Sequence, residues 1–150
     1  MTEQQPTADT RDMSWALEHL KKEKGVLHVV LFSADGLVLA ATSGIEREVA
    51  ERTAANACAA FALGRSISEF AELEGTSPHR IIIDLPDHCI LVFSAGHGTA
   101  LAVAVDAEMT SPEVAVASAA TIKAINGLRD ALSARERRRT AAAAHGAVTS

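Results

Sequence analysis

Aromatic residues are nearly missing from this chain: one Trp, four Phe and no Tyr make up 3% of it. That scarcity removes the stacking platforms on which single-stranded nucleic acids lie. It also leaves Ala, Val, Leu and Ile to fill the core. Cysteine is confined to Cys58 and Cys89, both inside apolar runs. Two such residues read as buried thiols in a reducing compartment rather than as a disulfide framework. No apolar run reaches the roughly 18 residues of a membrane span. The polar start MTEQQPTADTRD lacks the apolar stretch of a secretory signal. A cytoplasmic protein with no membrane insertion is expected. Basic charge is also short, with a net −5, and four of the 14 basic residues crowd into the segment Arg135-Glu136-Arg137-Arg138-Arg139. Outside that segment ten basic residues face eighteen acidic ones, which opposes non-specific binding to nucleic acid or to an anionic membrane.

Reactive constellations are missing too. Ser33, His28 and Asp35 are the right types for a hydrolytic triad, but no G-x-S-x-G elbow presents the serine. His88 and Cys89 are adjacent on an expected strand, where neighbours point to opposite faces. The six histidines show no H-x-x-x-H or C-x-x-C spacing, so no metal site is expected. Gly96-His97-Gly98 lacks the lysine of a phosphate loop and reads as a tight turn. No cofactor is implied. The work of this protein is expected to lie in its surfaces, not in catalysis.

What the sequence holds is a clear run of elements. Its 150 residues suit one domain with one core. Residues 1–11 read as a flexible lead, 12–134 as the domain, and 135–150 as a basic, then Ala-rich tail, mostly disordered or else an extension of the last helix. A helix is predicted over about 12–24, where Met13, Ala16, Leu17 and Leu20 share a side, and Gly25 stops it. VLHVVLFS (26–33) and LVLAAT (37–42) then form a hairpin around a two-residue Asp35-Gly36 turn. The first run is apolar almost throughout, so both faces of that strand must be covered. A long helix is predicted from about 45 to 72. Short links then join RIIID (80–84), HCILVFS (88–94) and TALAVAV (99–105), which forces neighbouring strands antiparallel. Ser111-Pro112-Glu113 opens a last helix. The reading is α+β: a five-stranded antiparallel sheet with helices on both faces, in the order α-β-β-α-β-β-β-α.

These residues resemble a known family. Trp15-Ala16-Leu17 followed by GVLHVVLFSADGLVLAATSG, the alanine-rich AERTAANACAAFALG, and Gly98-Thr99-Ala100-Leu101-Ala102-Val103 are similar to the Roadblock (dynein light chain) family, bacterial branch. VAVASAATIKAI in the last helix departs from the aromatic-plus-methionine segment usual in that branch. The resemblance implies a profilin-like sheet, the long helix on one face and the terminal helices on the other. It implies a homodimer made by pairing the third strand with its copy. It further implies binding to a small Ras-like GTPase, as scaffold or as regulator of its nucleotide cycle, and association with a sensor-kinase-like protein.

The residues expected to carry the dimer are Arg80, Ile81, Ile82 and Ile83, an edge strand with no proline to block pairing. Ala54, Ala57 and Ala60, with Cys58, would let two long helices lie close beneath that seam, and Phe61 is a further candidate for the interface. Arg47, Glu51, Arg52 and Arg65 are the expected partner-binding side chains of the long helix, and nothing marks any of the arginines as a catalytic finger. The alternative is a small-ligand sensory domain on the same sheet. Against it, His28 is the one polar side chain inside the first strand run.

Overall fold

The computed structural model describes residues 8–148. Five strands and three helices follow in the expected order: α1 (Ala8–Lys21), β1 (Val26–Ser33), β2 (Val38–Ala41), α2 (Arg47–Ile67), β3 (Arg80–Leu85), β4 (His88–Gly96), β5 (Thr99–Val105) and α3 (Pro112–Val148). A short 3-10 turn, Ser68–Ala71, follows α2. The strands form one antiparallel sheet in the order β2-β1-β5-β4-β3. β2 and β3 are therefore its edges.

Strand alternation assigns the two faces. Val29 and Leu31 of β1, Leu101, Val103 and Val105 of β5, and Leu91 and Phe93 of β4 pack with Met13, Leu17 and Leu20 of α1 and Val114, Ala117, Leu128 and Leu132 of α3. Val30 and Phe32 of β1, Ala100 and Ala102 of β5, and Val92 of β4 pack with Ala50, Ala54 and Ala57 of α2. The continuous apolar run of β1 thus has its reason: Val29 through Phe32 are all buried, alternately against one helical layer and the other.

The hairpin differs in detail from the predicted two-residue turn. Ser33 N donates to Leu37 O at 2.9 Å, which makes Ala34, Asp35 and Gly36 a three-residue loop. Gly36 takes φ +85° there, the left-handed residue such loops require. α2 ends sooner than expected, at Ile67, and Glu72 adopts φ 61° just after the 3-10 turn. Gly64 lies inside α2 because the Pro78 ring presses on that point; a Cβ there would run into it.

The ends of the chain need the largest corrections. α1 begins at Ala8, so the last residues of the expected flexible lead are helical. α3 continues to Val148, so the tail expected to be mostly disordered instead takes the alternative of extending the last helix. Its residues explain this: Arg, Glu and Ala are strong helix formers. Local pairs add support, Arg139 to Glu136 at 3.7 Å and Arg137 Nη1 donating to Ser133 Oγ at 2.9 Å. Residues 1–7 and 149–150 of the expected lead and tail lie outside the described residues.

Candidate interaction surface

β3 supplies a row of main-chain groups that β4 leaves unpaired, since β4 is its one neighbour in the sheet. Its register, Ile81 opposite Val92 and Ile83 opposite Ile90, sends Ile81, Ile83 and Leu85 to the α2 side. Arg80, Ile82 and Asp84 point to the α3 side, where the Arg80 guanidinium lies 5.0 Å from the centre of the Phe93 ring. Ile82, Ile83 and Leu85 are 39%, 40% and 41% exposed, unusual for three apolar side chains on one short strand.

α2 lies over β1, β2 and β5 and reaches Val92 of β4, while toward β3 the same face is half-exposed at Ile83 and Leu85. Inward from that half-exposed end, Ala54 and Ala57 are buried against their own sheet. They are therefore not available for contact between two long helices, as the sequence suggested. The helical period explains it: Ala50, Ala54 and Ala57 form one stripe, and the small Ala100 and Ala102 of β5 let it approach closely. Cys58 and Phe61 are half-buried at the border of that stripe. The Cys58 thiol donates to Ser33 O at 3.4 Å. Burial pushes the pKa of this thiol up, against a smaller lowering by the Gly36 backbone. The outward face of α2 is instead built from Ala55, Asn56, Ala59 and Ala62.

A second apolar group escapes the sequence reading. Leu63, Ile67 and Phe70 are 70%, 67% and 91% exposed at the end of α2 and in the turn after it. Their spacing of four and three is itself a helical stripe, offset from the inner one, and that offset is a readable signal.

Of the expected partner-binding residues, three come together and one does not. Arg47 Nε donates to Glu51 Oε1 at 2.9 Å, and Arg52 is exposed beside them. Arg65 lies 18 residues further on, about 27 Å along a helix. It donates to Ser77 Oγ at 3.1 Å and so braces the loop before β3.

The reactive types stay apart. Strand alternation puts Ser33 on the α1–α3 face and His28, opposite Ala104, on the α2 face. Ser33 Oγ is engaged by Leu37 N at 3.3 Å. His28 Nδ1 is buried without a hydrogen-bond partner. His88 Nε2 approaches Asp106 Oδ1 at 3.1 Å, while Cys89 is buried on the opposite face. Among the described residues no cluster of metal-ligating side chains occurs, and no helix is long and apolar enough to cross a membrane.

No curated protein matches the chain. Among solved structures it is similar to a Roadblock/LC7 domain from Streptomyces avermitilis, at 28% identity and TM-score 0.68, over 79% of this chain and 96% of that one. It has the fold of the gliding protein MglB from Thermus thermophilus, at 16% identity and TM-score 0.72, over 86% of this chain and 94% of that one. Myxococcus xanthus MglB is similar at 11% identity and TM-score 0.71, over 88% of this chain and 96% of that one. The model of the Roadblock/LC7 domain family matches residues 15–105, which runs from α1 through β5, and the chain belongs to that family.

Proposed function

We propose that this protein is a homodimeric, non-catalytic adaptor that binds a small Ras-like GTPase in the cytoplasm and scaffolds it or alters its nucleotide cycle. The observation that carries the reading is the β3 edge. It offers free main-chain donors and acceptors, flanked by half-exposed Ile82, Ile83 and Leu85. A second copy related by a two-fold axis would pair with it and make a continuous ten-stranded sheet. The half-exposed β3 end of the α2 face then becomes the middle of a shared surface, bordered by Leu63, Ile67 and Phe70.

That surface is the proposed landing site for the GTPase, with Arg47, Glu51 and Arg52 at its polar rim. Binding would act by favouring one arrangement of the switch loops over another. Arg65 is already engaged with Ser77 and serves the loop, not the partner.

Two measurements test the reading. Sedimentation of the purified chain should give at least twice its 15.7 kDa mass, and Ile82→Lys should cut the assembled mass at least twofold, because an edge lysine repels a copy of itself. Ras-like GTPases from the same cell, loaded with GDP or a GTP analogue, should bind in at least one state, and Phe70→Glu should weaken that binding. A monomeric wild-type chain removes the platform. Absence of binding in both nucleotide states removes the GTPase.

A further inference from the structure

The face opposite α2 carries a groove between α1 and α3 of about 540 Å³. Ala120, Ala124, Gly127 and Ala131 of α3 form its floor. Trp15, 71% exposed and stacked on His19 with ring centres 5.5 Å apart, forms its wall. Glu23 and Asp130 put negative charge on its rim, with Lys123 between them. A Cβ added at Gly127 meets nothing within 4 Å, so the missing side chain does not serve contact between α1 and α3. It leaves open space above the floor.

The same helix carries a segment with the opposite deficit. Past Leu132, the last fully buried side chain, α3 continues to Val148, and residues 137–145 are all exposed. Helices in proteins draw most of their stability from packing, and residues 137–145 bury no side chain, although Arg137, Thr140, Ala141 and Ala144 border a shallow cleft beside His97. It reads Arg137-Arg138-Arg139-Thr140 and then four alanines. Its positive charge answers the acidic rim of the groove, and its alanines allow close approach to a floor of Ala and Gly. A straight α3 cannot fold back into a groove that it lines itself. The segment must come from another molecule.

We propose that the α3 extension of one copy lies antiparallel in the α1–α3 groove of a second copy, and the reverse. One two-fold axis serves both contacts, because the groove floor and the extension lie on either side of Ser133 along α3. About that axis Arg137 of one copy comes beside Asp130 of the other, and Ala142, about five helical turns from Ala124 and so on the same side of α3, lies over Ala124. This contact uses neither β3 nor α2, so it is independent of the adaptor reading and would join β3-paired dimers into larger assemblies. Its α3 residues lie beyond residues 15–105 matched by the family model, while its α1 wall lies inside them.

Cross-linking tests it directly. Full chain carrying Ala124→Cys is mixed with full chain carrying Ala142→Cys under mild oxidation, and the linked peptides are identified by mass. The 124–142 link should exceed links from either chain to Cys58 or Cys89 by about tenfold, and Gly127→Leu in the first chain should reduce it by a similar factor. Arg137→Glu should also reduce the link, and Asp130→Arg on the other chain should restore it. That charge swap keeps the test valid if Gly127→Leu proves unstable. Ile82→Lys should leave the link in place, which separates this contact from β3 pairing. An absent link, or one indifferent to both Gly127→Leu and the charge swap, overturns the proposal. Either result would point to a different partner or a small ligand as the occupant of the groove.

Discussion

Gly64 and Asp35 show how single residues hold this fold. Glycine in a helix interior gives up about 1 kcal/mol relative to alanine. Gly64→Ala would recover that amount only if its methyl fitted, and the Pro78 ring already occupies the space. Overpacking of this kind costs about 1–3 kcal/mol. Urea unfolding should therefore show Gly64→Ala less stable than wild type. Gly64→Ala combined with Pro78→Ala should recover most of the loss, since the two sites share one contact. Asp35 sits in the β1–β2 loop, where its carboxyl is held below the usual carboxylate range. The side-chain hydrogen bond with Ser33 is the largest cause, the backbone adds to it, and Arg139 and Arg135 contribute from α3. A depressed carboxyl stabilises the fold above its unfolded pKa, and that contribution is lost as pH falls through the lower folded value. The stability difference between wild type and Asp35→Asn should thus be present near neutrality and vanish on strong acidification. Because Asp35 is exposed, added salt should shrink the arginine part of it.

At the scale of elements, the sequence disclosed more about the sheet than about the helices. The apolar run of β1, the Asp35-Gly36 hairpin and the short links between β3, β4 and β5 were legible because strand order there follows from covalent reach. β3 was legible as an edge mainly through the family resemblance. The facing of α2 was not legible. With Ala at positions 54, 55, 57, 59, 60 and 62, side-chain type barely distinguishes inside from outside, and the inner stripe emerges only against Ala100 and Ala102. The end of α3 defeats a reading by charge: a run of arginines suggests a solvated coil, although Arg, Glu and Ala favour helix. The α2 assignment can be checked by enlarging one alanine on each side. Ala54→Leu should lower the unfolding midpoint, with a cost of about 1–3 kcal/mol, because its site is fully buried. Ala59→Leu, on the exposed face, should leave the midpoint nearly unchanged. The reverse order would require α2 to be rotated about its axis.

Taken whole, the molecule is an acidic body with a basic rod attached. Among the described residues the body holds every fully buried side chain, and the last of them is Leu132. The rod beyond it carries four arginines within five residues, against the single Glu136. Stability and assembly should therefore separate along the chain. Ending the chain after Ala134 removes no fully buried side chain, so its cooperative unfolding should persist with a similar midpoint. Pairing through β3 lies at the far edge of the sheet and should persist as well, giving a dimer of the shortened chain by sedimentation. Contacts made through the rod should disappear, and with them any species larger than that dimer. Salt gives a second handle, since the proposed rod contact pairs opposite charges while the β3 contact is main-chain and apolar. At ~1 M salt, where screening acts over about 3 Å, the full-length chain should behave as the shortened one does. Larger species that survive both truncation and salt would mean that the body alone assembles them, through surfaces other than the groove.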